Sequence, residues 1–438
     1  MLQHGSGGGT RKDNGGGNPL AGKKVLIPPM AAGSAELFAA GFRALGVDAA
    51  PTPPSDDRTR ELGAQHTSGD ECYPAKVTVG DFIKYLEEPD TDPGRTVFFM
   101  PTSDGPCRFG QYAPYLRQIL NDSGYESAEI LSPTSRNSYE GLGDLARPFF
   151  RTQWRSLVAA DILQKLLLMY RPHELDKGRS DEVYKECLDD LARTIEQSPT
   201  EPSPQLKALR EAMLRSRAKF RAIRGQRNRD VPLIGVVGEI FCRLNTFSND
   251  DLVRRIEEYG GECWVSDITE WVWYTNSEQF RKLKLAGKQF SIDNLKAWIK
   301  NQVQKRDEHV LLDLFEEDFT GYQEPPMKDV LDAAEPYLPV HGALGEMVLN
   351  AGKAACLAHL GVDGIIDISP FTCMNGIVSE AIYPRLSRDL NGIPIRTFYF
   401  DGTEADLDRD IGVYMELAKT YQRRKKSQRQ YPEYPKAS

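Results

Sequence analysis

Three of the seven cysteines share a local setting that suits metal chemistry. Cys107 follows the apolar run TVFFMP and precedes RFGQYAPYLRQIL, and Cys373 follows GIIDI and precedes MNGIVSEAIYPRL. Cys72 lies in GDECYPAK, where Pro74 is favourable just inside the start of a helix. A helix N-terminus offers free N–H groups and a positive dipole end, which stabilise a thiolate. Because metals and clusters bind thiolates, we predict that Cys72, Cys107 and Cys373 are metal ligands.

The other four cysteines are better explained by packing, since a free cysteine is among the most buried residue types. Cys187 lies on the apolar face of a predicted helix, Cys263 in a predicted strand and Cys356 in the helical AGKAACLAHLG. Cys242, at the end of the predicted strand VPLIGVVGEIF, is ambiguous and is a candidate for an extra ligand or a redox-active neighbour. No C-x-x-C pair occurs, so a metal site must be assembled from distant parts of the fold.

Short β-rich runs alternate with helical periodicity from Lys23 onwards, and a largely helical stretch interrupts the alternation before the strand at 231–240. This pattern predicts an α/β fold, with two flavodoxin- or Rossmann-like parallel-sheet domains joined by a helical segment. The predicted divisions are a flexible Gly-rich tail (1–22), an N-terminal α/β domain (23–145), a helical connector (146–229), a C-terminal α/β domain (230–423) and a solvated basic tail (424–438).

In open parallel sheets, ligands collect beyond the carboxyl ends of the strands. We therefore expect the three helix starts to converge in the cleft between the two domains, with the three sulfurs within roughly 6 to 8 Å of one another around a cluster.

Composition narrows the functional classes. The 438-residue chain has a net charge of −8 and a pI near 5.5, which gives no basic footprint for nucleic acid. The N-terminus has no apolar core of a signal peptide, and no apolar run is long enough to cross a bilayer. We expect a cytoplasmic protein that binds neither nucleic acid nor membrane.

The segments ECYPAK, GPCRFGQY, GEIFCRLNTFSNDDLVRRIEEYGGECW and DGIIDISPFTCMNGIVSEAI resemble the iron–sulfur subunits of 2-hydroxyacyl-CoA dehydratases and benzoyl-CoA reductases. They also resemble the related double-cubane cluster protein and the C-terminal region of activase-fused members, over roughly residues 23–423. The resemblance implies a [4Fe–4S] cluster held by Cys72, Cys107 and Cys373. A double-cubane [8Fe–9S] cluster needs six cysteine ligands, and only three stand in these motifs, so one [4Fe–4S] cluster per chain is favoured.

The resemblance also implies a reaction and partners. Family members reduce a 2-hydroxyacyl-CoA thioester by one electron to a ketyl radical, which expels hydroxide. The electron comes from a homodimeric actin-like ATPase, the activase, which carries its own [4Fe–4S] cluster. We expect such an activase partner here, because the chain contains neither a P-loop nor a G-x-G-x-x-G motif that could bind ATP. We also expect a homodimer or a heterodimer with a related subunit. The alternatives are an electron-transfer or scaffold subunit and an α/β small-molecule binder without a cluster.

Polar residues beside the three cysteines could support the cluster or merely serve capping and turn chemistry. These second-layer candidates are Ser103, Asp104 and Arg108 near Cys107, Glu71 before Cys72, and Thr372 and Asn375 near Cys373. The candidate catalytic residues are Glu239, Arg243 and His341. Glu239 and Arg243 could instead form a structural ion pair, and His341 could be a capped surface residue.

Overall fold

The strands form two separate sheets in which every pair of neighbours is parallel. The computed structural model describes residues 18–102, 107–133, 140–341, 345–403, 406–425 and 429–432. The first sheet has the order β2-β1-β3-β4 and the second has the order β6-β5-β7-β8. Their bounds are β1 (Lys24–Ile27), β2 (Asp48–Pro51), β3 (Thr96–Phe99), β4 (Glu129–Leu131), β5 (Leu233–Gly238), β6 (Glu262–Val265), β7 (Gly364–Pro370) and β8 (Ile395–Phe400). The predicted α/β class with two parallel sheets is confirmed.

In the part of this half that the structure describes, four helices accompany the first sheet: α1 (Ala32–Arg43), α2 (Asp57–Gln65), α3 (Tyr73–Leu86) and α4 (Tyr112–Asp122). Helix α3 is apolar around most of its circumference, and it is buried over most of its length. It packs closely on α2, and glycine at position 80 permits this approach because a Cβ atom there would lie 1.9 Å from the carbonyl oxygen of Thr59. This close contact positions the start of α3, where Cys72 lies.

Residues 146–229 are helical, as the sequence predicts. They form α5 (Ala146–Tyr170), α6 (Arg179–Gln197) and α7 (Pro202–Arg221). Helix α5 contacts α1, α6, α7 and β6, so it packs against elements of both halves of the chain. Its fully buried Arg155 donates to the carboxylate of Asp307 at 2.7 Å and to Gln205 Oε1 at 2.8 Å. A buried guanidinium needs such partners, and these two connect α5 to distant helices.

Among the described residues, eight helices accompany the second sheet. They are α8 (Ile240–Leu244), α9 (Leu252–Glu258), α10 (Ile268–Leu285), α11 (Ile292–Leu312), α12 (Met327–Ala334), α13 (Glu346–His359), α14 (Met374–Asp389) and α15 (Leu407–Arg424). Helices α10 and α11 form a hairpin inserted between β6 and β7. Asp307 belongs to α11, so the Arg155 contact attaches this hairpin to α5.

The two halves also meet directly. The side chain of Asn245, just after α8, donates to the carbonyl oxygen of Pro29, just after β1, at 2.9 Å. Tyr73 of α3 shares a buried apolar cluster with Phe241 and with residues of the second sheet. Its ring fits against Gly402, where a Cβ atom would lie 2.8 Å from a ring carbon. The start of α3 is therefore held against the second α/β half.

Both predicted tails contain buried residues. Leu20, inside the predicted 1–22 tail, is buried in the core of the first half, whereas residues 1–17 lie outside the described residues. In the predicted basic tail, Arg429 is buried and donates to the Glu262 carboxylate at 3.1 Å. The prediction of a solvated end is wrong for Arg429, because the buried Glu262 needs cationic partners.

Within the described ranges, every helix is too short or too polar to cross a bilayer.

Asp81 gives a test of the buried polar contacts in the first half. Its side chain is fully buried and accepts hydrogen bonds from Thr59 Oγ1 and Ser55 Oγ, each at 2.8 Å. Burial raises the pKa of Asp81 to about 7. The folded protein therefore binds a proton that the unfolded chain releases near pH 4. The contribution of this proton to the free energy of unfolding is fully present below about pH 4 and is lost as the pH rises towards 7.

We predict that Asp81→Asn removes this pH dependence. Between pH 5 and 7 the free energy of unfolding of the wild type should fall more steeply than that of the variant, by up to about 1.4 kcal/mol per pH unit. Urea titrations at pH 5, 6 and 7 measure the difference. Parallel curves for the two proteins would show that Asp81 does not hold the extra proton.

Candidate functional site

Cys72 is the N-cap residue of α3, with Pro74 in the first turn, as the sequence predicts. Its sulfur lies 2.7 Å from the hydroxyl oxygen of Tyr112, which begins α4. Burial raises the pKa of the Cys72 thiol, and the Tyr112 hydrogen bond and the charge of Arg108 oppose that rise. Cys72 is therefore a half-buried thiol with a hydrogen-bonding hydroxyl beside it.

The loop before Cys72 is folded around the carboxylate of Glu71. This carboxylate accepts from Ser68 Oγ at 2.9 Å, from the Gly69 N–H at 3.0 Å and from the hydroxyl of Tyr115 in α4. Despite partial burial, these hydrogen bonds lower the pKa of Glu71 to about 2. Glu71 thus stays ionised and organises the loop.

Cys107 follows β3 and caps a short 3-10 turn, Arg108–Gln111, that leads into α4. Its sulfur accepts the Phe109 N–H at 3.5 Å. The guanidinium of Arg108 donates to the carbonyl oxygen of Asp70 at 2.9 Å, which connects this loop to the loop of Cys72. Arg108 therefore lies between the two cysteine loops, as a supporting residue should.

Cys373 follows β7 and is the N-cap residue of α14. Thr372, immediately before it, has a φ of +65°, a left-handed conformation that is costly for a β-branched residue. Backbone of this kind persists only where its surroundings require it and is common at functional sites. Asn375 is buried, and a Cβ atom on Gly345 would lie 2.8 Å from its Oδ1 atom, so Asn375 supports the start of α13.

Cys242 is fully buried within the short helix α8, not at the end of a strand. Strand β5 ends at Gly238, which has a φ of +124°. A Cβ atom at this position would lie 2.1 Å from the carbonyl oxygen of Ile368, so only glycine fits here. Glu239 then caps α8, with its carboxylate accepting the N–H groups of Phe241 at 3.1 Å and Cys242 at 2.8 Å.

Glu239 acts electrostatically on four of the cysteines. Burial is the main cause of the raised pKa of the thiols of Cys72, Cys107, Cys242 and Cys373, and the negative charge of Glu239 raises each of these pKa values further. The pKa values of Cys107 and Cys373 are both raised to about 12. The three predicted ligands and Cys242 therefore share the electrostatic influence of one carboxylate.

The raised pKa values correct one expectation. The sequence predicts that helix N-termini stabilise the thiolates, and N–H groups at the first turn of α14 do act in that direction on Cys373. Burial and the carboxylates of Glu239 and Glu346 outweigh them. Without a bound cation or cluster, Cys107 and Cys373 are therefore thiols.

A second buried carboxylate, Glu346, lies in the first turn of α13 and was not predicted from sequence. It accepts the Ile240 N–H at 2.8 Å. Burial, and next the charge of Glu239, raise the pKa of Glu346 well above its usual range, which favours its protonated form. The only sequence signal is an acidic residue opening an otherwise apolar helix.

Arg243 supplies positive charge to this pair of carboxylates. Its guanidinium is buried and donates to the carbonyl oxygen of Gly238 at 2.9 Å. Its charge lowers the pKa of Glu239 and of Glu346, although burial prevails at both. Glu239 and Arg243 therefore interact through their charges, whereas their hydrogen bonds are to backbone atoms. Glu239 accepts from N–H groups, and Arg243 donates to a carbonyl oxygen.

The remaining candidates divide into three groups. Ser103 and Asp104 lie outside the described residues. His341 is exposed, and its carbonyl oxygen accepts from Arg281 at 3.3 Å, so it is a surface residue in the structure. Cys187 in α6 and Cys263 in β6 are buried as predicted, and Cys356 in α13 is half-buried.

Tyr112 was also missed by the sequence analysis. It occurs five residues after Cys107, and nothing in that spacing indicates that its hydroxyl reaches Cys72, which lies 40 positions earlier. In the described part of the chain, no three His, Cys, Asp or Glu side chains are close enough to hold a single metal ion.

Searches against models of known protein families and against curated proteins found no match to this chain.

The Glu71 loop generates a prediction about the exposure of Cys72. Replacing the carboxylate in Glu71→Gln weakens its charge-assisted hydrogen bonds by about 1–2 kcal/mol, which corresponds to roughly a 5- to 30-fold more populated open loop. Alkylation of Cys72 in the metal-free protein, followed by mass spectrometry, should accelerate accordingly. The exposed Glu88→Gln is the matched control and should leave the rate unchanged. Equal rates in all three proteins would contradict this role of Glu71.

Proposed function

We propose that this chain is the iron–sulfur component of an ATP-activase-dependent, low-potential reductase or dehydratase, with one [4Fe–4S] cluster held by Cys72, Cys107 and Cys373. The observation that supports the proposal is that three thiols, each at a helix start, are all influenced by the charge of one carboxylate, Glu239. Three soft ligands from separate loops, with no fourth cysteine in the same setting, suit a cluster that keeps one iron open.

The donor set fits such a cluster chemically. Hydrogen bonds to sulfur tune the potential of iron–sulfur centres. The Phe109 N–H is directed at the Cys107 sulfur, and the Tyr112 hydroxyl lies beside the Cys72 sulfur. When bound, the cluster would supply a low-potential electron and a Lewis-acidic iron.

The sheet topology supports this location. The order β2-β1-β3-β4 matches the first four positions of a flavodoxin-type sheet, and β6-β5-β7-β8 repeats it. In such sheets, ligands bind beyond the carboxyl ends of the strands. Cys107 and Cys373 directly follow β3 and β7, so the two flavodoxin-like halves would hold the cluster in the cleft between them.

The buried acids give the chain's own residues a chemical role. Burial and the charge of Glu239 favour the protonated form of Glu346, which accepts the N–H of Ile240, the residue after Glu239. A reaction that expels hydroxide from a 2-hydroxyacyl-CoA thioester needs a proton for the leaving oxygen. Glu346 would donate this proton, and Arg243 would offset the negative charge that remains.

A non-catalytic electron-transfer or scaffold subunit is the second candidate. Phe371, Met374 and Ile377 are apolar, largely exposed, and adjacent to Cys373 in sequence. An apolar rim beside a cluster would suit contact with another protein through which electrons pass. In either case the partners would be an activase and a second copy or a related subunit, in a cytoplasmic setting that keeps thiols reduced.

We predict that Cys72→Ser, Cys107→Ser and Cys373→Ser each lose most of their iron after anaerobic reconstitution, because a hydroxyl is a poor ligand for a cluster iron. Cys187→Ser and Cys356→Ser are the matched controls and should retain wild-type iron. Iron and sulfide are counted per chain, with circular dichroism to verify folding. Full iron content in any of the first three variants would remove that residue from the ligand set.

We also predict that the purified, reconstituted chain turns over no acyl-CoA substrate with ATP and dithionite until an ATP-hydrolysing activase is added. The physical reason is that the sequence contains no recognisable phosphate-binding loop. Turnover is measured by product analysis, with an activase lacking ATP hydrolysis as the control. ATP-dependent turnover by the chain alone would contradict this division of labour.

A further inference from the structure

The α10–α11 hairpin exposes an unusual amount of apolar surface. At its tip, Phe290 is 95 % exposed and Leu285 is 74 % exposed. Four more apolar side chains in α11 are at least half exposed: Ile292, Leu295, Trp298 and Ile299. Contiguous exposed apolar surface usually marks an interaction site, because it is costly to leave in water.

The exposed side chains of α11 form a stripe. Ile292, Leu295 and Ile299 have the i, i+3, i+7 spacing of one helix face. A different face of α11 is buried against the body of the protein, with Ala297, Gln304, Asp307 and Leu311 on it, and Asp307 binds Arg155 there. The stripe therefore points away from the body of the protein, and it does so together with the tip.

Positive charge surrounds this apolar surface. Residues 282–300 contain five lysines, no arginine and one acidic residue, Asp293, in a chain whose net charge is −8. The lysines at positions 282, 284, 288 and 296 are exposed. Among the described residues, no carboxylate forms an ion pair with any of these four, so their charges are available to an anionic partner.

We propose that the hairpin docks on an anionic lipid surface, with Leu285, Phe290 and Ile292 in the headgroup–acyl boundary and the lysines on lipid phosphates. A helical element with Trp, Phe and Leu on one side and Lys on its flanks is the pattern of interfacial membrane binding. Each lysine near an anionic surface strengthens binding, and the cytoplasmic leaflet is anionic. The site is peripheral and needs no membrane-spanning helix, and it replaces the sequence-based expectation that the chain does not bind membrane.

The composition favours lipid over a protein partner. Protein interfaces are enriched in arginine and depleted of lysine, whereas the basic residues at 282–300 are all lysines. Pairing with the hairpin of a second copy would bring two lysine-rich surfaces together, which like-charge repulsion opposes. The inference is independent of the cluster, since the hairpin tip contains none of the cysteines.

Sedimentation with vesicles tests the proposal directly. The full chain should bind vesicles of phosphatidylcholine with about 30 % phosphatidylglycerol, and should bind pure phosphatidylcholine vesicles far less, because the lysines need anionic headgroups. Raising the salt from about 0.05 to 0.5 M should weaken binding through screening. Phe290→Ser with Leu295→Ser, and Lys284→Glu with Lys288→Glu, should each lower the partition coefficient by about tenfold or more.

Matched control variants carry the same chemistry elsewhere on the surface. Val413→Ser with Leu417→Ser replaces two apolar side chains of α15 that are about as exposed as Leu295, and Lys185→Glu with Lys207→Glu reverses two exposed charges. Both controls should bind as the wild type does. No binding to anionic vesicles, or equal loss in controls and hairpin variants, would overturn the proposal. Self-association that the Phe290→Ser, Leu295→Ser variant abolishes, without vesicle binding, would instead assign the hairpin to a second copy.

Discussion

The parallel direction of every strand pair is the constraint on which the site depends. In a parallel sheet each strand ends at the same edge, so each following loop begins there. Cys107, the Glu239–Cys242 segment and Cys373 follow β3, β5 and β7 for this reason. The residues of the site are far apart in sequence, and in the proposed function the two sheet edges would bring them near one another.

A second requirement is that the two edges face each other. Helix α5 packs against elements of both halves, and its buried Arg155 is fixed by Asp307 and Gln205. Tyr73 of α3 inserts into the apolar cluster of the second half, and Asn245 reaches back to Pro29. Because Tyr73 is the residue after Cys72, the packing that joins the halves also positions one of the proposed ligands.

The sequence predicted the strong elements well and the weak ones poorly. The apolar runs of β5 and β7 and the periodicity of 146–229 leave few alternatives, and all were confirmed. Strand β2, DAAP, was not predicted, because four residues without a β-branched side chain give no strand signal and only pairing with β1 defines it. The predicted location of Cys242 at the end of a strand was wrong, because the chain turns at Gly238, three residues earlier than the apolar run suggests.

The residues that were missed depend on long-range contacts. Glu346, Tyr112 and Arg429 resemble an ordinary helix-start acid, a helix aromatic and a tail arginine in the sequence. Their environments come from Ile240, Cys72 and Glu262, each at least 40 positions away. Local patterns could identify the three helix-start cysteines and Glu239 as candidates. The influence of the Glu239 charge on all three thiols emerges only from the fold.

The electrostatics of the site agree with a bound group that adds positive charge. Burial raises the pKa of Glu239, Glu346 and Cys373 because it disfavours their anions, and a bound cationic group would offset that effect. The most direct test of the central claim is to reconstitute the wild-type chain anaerobically, count iron and sulfide, and record Mössbauer and EPR spectra. The account predicts about four iron atoms and four sulfides per chain with the spectrum of a single [4Fe–4S] cluster. A chain that retains no iron, or that loads about eight iron atoms, would contradict it.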